Sequence, residues 1–136
     1  MKAEHHLVAS AAISCVIYAA TRSPANAIAS FVAGVLIDLD HFLDYYLNHE
    51  IKFNLGSSLD TVYNIRLKKV YVFLHSIELL LIYWACIILI PLRGIYTAIA
   101  IGATQHLLLD QLFNPVRPAG YLLLYRLWKK FDSEYI

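Results

Sequence analysis

Residues 25–37 carry no charged side chain, and then Asp38, Asp40, His41 and Asp44 arrive within seven positions. This junction constrains the fold more than any other stretch. On a helix, at about 100° per residue, Asp38 and His41 are i,i+3 neighbours and Asp40 and Asp44 are i,i+4 neighbours. Three carboxylates this close repel one another unless something cationic lies among them. Ionisable groups at the edge of an apolar, membrane-length segment are costly and mark function.

The rest of the chain agrees with a membrane setting. Of 136 residues, 60% are hydrophobic and 15% charged, with a mean hydropathy of +0.58; a soluble domain is about 45–50% apolar. A single, mostly membrane-embedded all-α domain follows. A net charge of +1 excludes bulk nucleic-acid binding. Cys15 and Cys86 lie in apolar runs and read as small buried thiols. The N-terminus lacks a signal-peptide layout, because apolar segments recur to the end and no small-residue cleavage site stands out.

The spacing of charges and turn residues predicts four transmembrane helices over about 3–21, 24–47, 65–90 and 95–113, then an amphipathic interfacial helix over about 119–131. Arg22-Ser23-Pro24, Pro91 to Gly94, and Asn114-Pro115 with Pro118 punctuate them. The segment 24–47 is roughly 35 Å long as a helix, enough for a bilayer core of about 30 Å. The one long connection, 48–64, centres on Gly56-Ser57-Ser58. In the tail, Arg126, Lys129 and Lys130 oppose Leu124, Leu127, Trp128 and Phe131, an interfacial pattern.

Successive membrane helices alternate direction. All six histidines and all ten acidic residues then fall on one side or in its half of the membrane. Of the eleven Lys and Arg, only Arg22 and Arg93 fall on the other. Basic residues stay cytoplasmic, so the expectation is a multi-pass inner-membrane protein with both termini in the cytoplasm.

On that side each helix offers ligand-type residues: His6 (with His5 beside it), then Asp38, Asp40 and His41, then His75 and Glu78, then His106 and Asp110. Taken singly, an HxxxD pair or a DxDH at a helix end is as readily a solvated surface pair. Four such sets on one side of four apolar helices are what metal sites in helical bundles are built from. A mixed His and carboxylate set suits zinc first, with manganese, iron or nickel behind it. The candidates exceed the roughly four ligands of one tetrahedral ion, which leaves room for two ions or for acid/base partners. His49 and His5 read as solvated, and Asp44 as a supporting or exposed group.

At AEHHLVASAA, VLIDLDHF, LHSIELLL and GATQHLLLDQLFNPVRPAG the chain resembles the YdjM-like inner-membrane, metal-dependent hydrolases. Their pattern is an N-terminal His, a (P)DxDH element, a THS element, and HxxxD before a segment with Pro and Gly. The matching positions are His6, then Asp38, Asp40 and His41, then His75 with Ser76, then His106 and Asp110. There are departures. Ile37 stands where Pro is common, Leu74 replaces Thr, and Val70-Tyr71 occupies the place of a His-Arg pair. Glu78 is not part of the family pattern. The HxxxD element looks weakly like that of zinc phospholipase C and the related nucleases.

The resemblance implies a divalent metal, Zn2+ first with Mn2+ or Mg2+ also open, and hydrolysis of a lipid-like phosphoester at the cytoplasmic face. Metal would acidify water toward a pKa of roughly 7, Asp40 or Glu78 would take the proton, and Arg117 would hold an anionic headgroup or anchor the chain. Membrane lipids are the expected partners, and self-association as a homo-oligomer stays open. A divalent-metal transporter or sensor, and a catalytically inactive membrane scaffold, remain alternatives. A transporter would carry polar or broken-helix positions in both halves of the membrane.

Overall fold

A computed structural model describes residues 3–48 and 68–135. His49 and the connection with Gly56-Ser57-Ser58 lie outside the described residues. Within them the protein is all-α apart from one isolated antiparallel bridge between Lys69 and Asp132. The elements are α1 (Ala3–Thr21), α2 (Pro24–Leu36), a 3-10 turn (Ile37–Leu39), α3 (Asp40–Asn48), α4 (Ile77–Leu89) and α5 (Ile95–Phe113). A second 3-10 turn (Pro118–Tyr121), α6 (Leu123–Trp128) and a last 3-10 turn (Ser133–Tyr135) follow. The chain divides into two compact units. The first holds α1, α2, α4 and α5. The second holds the chain from Asp38 through α3, the segment 68–76, and everything from Val116 onward.

Small residues set the packing of the first unit. The Ser23 hydroxyl accepts the Asn26 N–H at 3.3 Å, and Pro24 opens α2, a capped start with a preset φ. A Cβ at Gly102 would collide with the Ser30 carbonyl, and one at Gly34 would come within 2.5 Å of the Ser10 hydroxyl. At Gly102 the backbones of α5 and α2 approach this closely because nothing but hydrogen lies between them. Trp84 Nε1 donates to Thr104 Oγ1 at 3.0 Å, tying α4 to α5.

Many polar and ionisable side chains are buried beside an apolar core that includes Ile17, Ile37, Val72 and Leu107. The buried side chains include His6, Ser10, Ser14, Ser30, Asp40, Asp44, His75, His106, Asp110 and Arg126. Large apolar side chains face out: Leu89 is 79% exposed, and Ile88, Leu112 and Trp128 are each 73% exposed. Along α1 the buried line is His6, Ser10, Ser14 and Ile17, at successive steps of four, four and three residues. Cys15, one residue past Ser14, therefore faces outward and not inward as expected; it and Cys86 are free thiols.

The helix expected over 65–90 begins only at Ile77, since the described residues 68–76 are not helical. The reason is competition for backbone groups. Asp44 Oδ1 accepts the N–H groups of Tyr71 (2.7 Å) and Val72 (3.0 Å), and Asp40 Oδ2 accepts that of Leu74 (2.7 Å). Arg126 donates to the carbonyls of Tyr71, Val72 and His75. Backbone groups bound to side chains cannot also close i→i−4 bonds. What remains of the helix is 13 residues, about 20 Å, short of the roughly 30 Å apolar core of a bilayer.

Among the described residues, one helical stretch is both long and apolar enough to cross a membrane, Pro24–Asn48, near the N-terminus. Length and composition alone therefore give one candidate span where four were expected. The expected tail helix over 119–131 is shorter too. It comprises the Pro118–Tyr121 turn and α6, after which Lys130 and Phe131 take positive φ and end it. Arg126, expected on the water side of that helix, is fully buried.

Candidate metal centre

In the first unit α5 places His106 and Asp110 one turn apart, and α1 supplies His6. His106 Nδ1 lies 2.7 Å from the Gly34 carbonyl. A carbonyl only accepts, so Nδ1 carries the hydrogen and Nε2 presents a lone pair in the neutral ring. That Nε2 faces Asp110 Oδ2 at 3.4 Å. Asp110 Oδ1 lies 2.9 Å from His6 Nε2 and accepts the Asn114 side-chain amide at 2.8 Å. The rings of His6 and His106 stack with centroids 3.9 Å apart. His6 Nδ1 is buried with no hydrogen-bond partner among the described residues.

The second unit builds its group on the break between α2 and α3. The 3-10 turn presents Asp38, and the first turn of α3 presents Asp40 and His41. His75 comes from the non-helical segment before α4. Its Nδ1 lies 3.0 Å from Asp40 Oδ1 and 3.2 Å from Oδ2. Its Nε2 lies 3.5 Å from Asp38 Oδ1, and His41 Nε2 lies 3.8 Å from the same oxygen. Asp40, His41 and His75 each offer a ligand atom, all within 4.8 Å of one another, so this group could hold a metal ion.

Two features fit a cation. First, a His with one nitrogen on a carboxylate or carbonyl and the other turned toward acidic oxygen is the arrangement that orients metal-ligating imidazoles. His75 on Asp40 and His106 on Gly34 both have it. Second, bonds of about 2.1 Å at the tetrahedral angle put neighbouring donor atoms about 3.4 Å apart. The separations of 3.4 Å (His106 to Asp110) and 3.5 Å (His75 to Asp38) lie near this spacing, whereas His6 to Asp110 at 2.9 Å is a direct hydrogen-bond distance and His41 to Asp38 is 3.8 Å.

The expected metal ligands thus appear in two within-unit groups: His6, His106 and Asp110 in one, and Asp38, Asp40, His41 and His75 in the other. Both oxygens of Asp40 carry partners, His75 and the Leu74 N–H, so besides belonging to that group Asp40 is placed to orient His75. Glu78 is half-buried in the first turn of α4. Arg117 is exposed just before the Pro118–Tyr121 turn, and His5 is exposed beside His6. Of the supporting residues, the sequence pointed to Asp44, read as supporting or exposed, but not to Arg126 or Asn114. Asp44 and Arg126 are fully buried, and Asn114 secures Asp110. An i,i+4 spacing links Asn114 to Asp110, a signal that could have been read; nothing local links Arg126 to Tyr71.

Comparison with protein-family models, with curated proteins and with solved structures finds no match.

Proposed function

We propose that this protein is a membrane-bound, metal-dependent hydrolase of a lipid-like phosphoester, of the kind its YdjM-like motifs imply. The observation that carries this reading is His75, held from behind by Asp40 at 3.0 Å and aimed at Asp38 at 3.5 Å, with His41 alongside. Asp38, His41 and His75 are the ligands in the second unit. His6, His106 and Asp110 are a second ligand set in the first, so up to two ions are accommodated. Zinc suits this donor set best, with manganese or magnesium as alternatives. A bound divalent ion supplies Lewis acidity toward a phosphoryl oxygen and a more acidic water. Asp40 positions His75, Glu78 is the candidate proton acceptor, and Arg117 with the basic tail attracts an anionic headgroup.

The membrane assignment is supported by the many large apolar side chains that face outward while ionisable ones are buried. It extends to a multi-pass protein with both termini cytoplasmic, on the distribution of Lys and Arg. Labelling of single cysteines at Ser23 and Ser57 should show opposite sidedness, with Ser57 cytoplasmic; the reverse pattern would invert the topology.

Metal analysis of protein purified without chelator should find zinc or a similar ion. Asp38→Ala and His75→Ala should lower its content, and His5→Ala should not. A ligand at 100 times its Kd stabilises by about 2.7 kcal/mol, so chelation should lower Tm. The metal-loaded protein should then turn over members of a panel of phospholipids and isoprenoid phosphates, read by mass spectrometry. Absence of turnover with zinc, manganese and magnesium, together with metal flux into liposomes, would replace the hydrolase reading with transport.

A further inference from the structure

The segment carrying His75 has no helix to hold it, yet His75 is buried and pointed. Its backbone is gripped from two sides. On one side Asp44 Oδ1 takes the Tyr71 and Val72 N–H groups at 2.7 and 3.0 Å. On the other, Arg126 Nη1 donates to the Tyr71 and Val72 carbonyls at 2.6 and 2.7 Å, and Nη2 to the His75 carbonyl at 3.3 Å. Asp44 and Arg126 therefore hold the N–H and the carbonyl groups, respectively, of the same two residues, Tyr71 and Val72, and neither belongs to the ligand sets above.

The entry to the segment is tied down as well. Asn48 accepts the Lys69 N–H at 3.1 Å and donates to the Lys69 carbonyl at 2.8 Å. The Val70 N–H donates to the Phe131 carbonyl at 2.8 Å, and the Ser133 N–H to the Lys68 carbonyl at 3.2 Å. All of these residues lie in the second unit.

We infer that Asp44 and Arg126 form a clamp that positions His75, so that the C-terminal segment sets the affinity of the metal group on α3. This rests on the metal reading above, but the clamp itself concerns only this chain's own atoms. A guanidinium fork suits the task because its planar donors meet two or three carbonyls at once. Charge-assisted bonds are roughly twice as strong as neutral ones, and both clamp residues are fully buried, where such bonds are not screened by water. Moving a group that supports a ligand typically lowers metal affinity about 10–100-fold.

The experiment compares the intact protein with two pairs of variants. Asp44→Asn keeps an oxygen able to accept both N–H groups and Asp44→Ala does not. Arg126→Lys keeps charge and a donor, and Arg126→Gln loses the charge and most of the fork. Zinc affinity by competition titration should fall about 10–100-fold in Asp44→Ala and Arg126→Gln. It should fall much less in Asp44→Asn and Arg126→Lys; were Asp44 itself a ligand, Asp44→Asn would fall as far as Asp44→Ala. Amide exchange of residues 71–75 should quicken by roughly tenfold or more in the same two severe variants, with α1, α2 and α5 unchanged. Exchange needs no metal, so it tests the clamp even if the intact protein binds none; that result would sink the metal reading alone. Unchanged exchange at 71–75 would overturn the clamp, as would faster exchange spread equally through α1 and α5. Wild-type zinc affinity in both severe variants, with an intact protein that does bind zinc, would overturn it too.

Discussion

The two units aim the same kinds of side chain by different physical means. In the first, His6, His106 and Asp110 ride on helices whose own backbone bonds are closed, and packing fixes their places. Gly34 and Gly102 let backbones touch, and the Gly34 carbonyl that approaches α5 also fixes the His106 ring at 2.7 Å. In the second, His75 sits on a segment without helical bonds, and side chains from α3 and α6 do what a helix would otherwise do. The contrast teaches that a buried imidazole can be aimed by shape or by hydrogen bonding, and that the two should fail differently. Packing fails through volume, and a side-chain clamp fails through loss of a donor or acceptor.

The largest effect should come from volume in the first unit. Gly102→Val puts two methyl groups where a Cβ already collides with the Ser30 carbonyl. We expect a loss of about 3 kcal/mol or failure to accumulate folded protein, since overpacking typically costs 1–3 kcal/mol and sometimes more. A normal Tm for this variant would show that α2 and α5 do not meet through Gly102.

Removing hydrogen bonds without changing packing should trouble the second unit more. Asn48→Ala deletes two bonds to Lys69 at 2.8 and 3.1 Å. About 1–2 kcal/mol of local protection should be lost around residue 69, visible in amide exchange there and absent from α1 and α5. Equal loss in both units would erase the distinction drawn between them.

A milder probe is Trp84→Phe, which removes the bond to Thr104 at 3.0 Å while keeping most of the ring. About 1 kcal/mol of stability should go, measured by denaturant titration in detergent. The smallest effect belongs to Leu74→Ala. Its side chain is exposed while its N–H is held by Asp40. Because the backbone group and not the side chain carries the contact, stability should move by no more than about 0.5 kcal/mol. A loss above 2 kcal/mol would mean the Leu74 side chain, and not Asp40, secures that turn.

What the sequence by itself determined was set by local rules. The punctuation at Pro24, Pro91 to Gly94 and Asn114-Pro115 placed α1, α5 and the start of α2 within a residue or so, because caps and prolines act over one turn; the helix expected over 24–47 is instead interrupted by the 3-10 turn Ile37–Leu39, which separates α2 from α3. The grouping of Asp38, Asp40 and His41, and the His106 and Asp110 pair, were legible because their spacings are those of a helix face. Tertiary structure decided what depends on partners distant in sequence. Residues 68–76 read as the start of a helix because they lead without a turn residue into the long apolar stretch up to Ile90. They are not helical because Asp44, 27 positions before Tyr71, and Arg126, 55 positions after it, take up the backbone groups a helix would use. The fate of Arg126 itself was illegible for the same reason. A basic residue on an amphipathic turn points to water by default, and only carbonyls left open by another segment make burial cheaper than solvation.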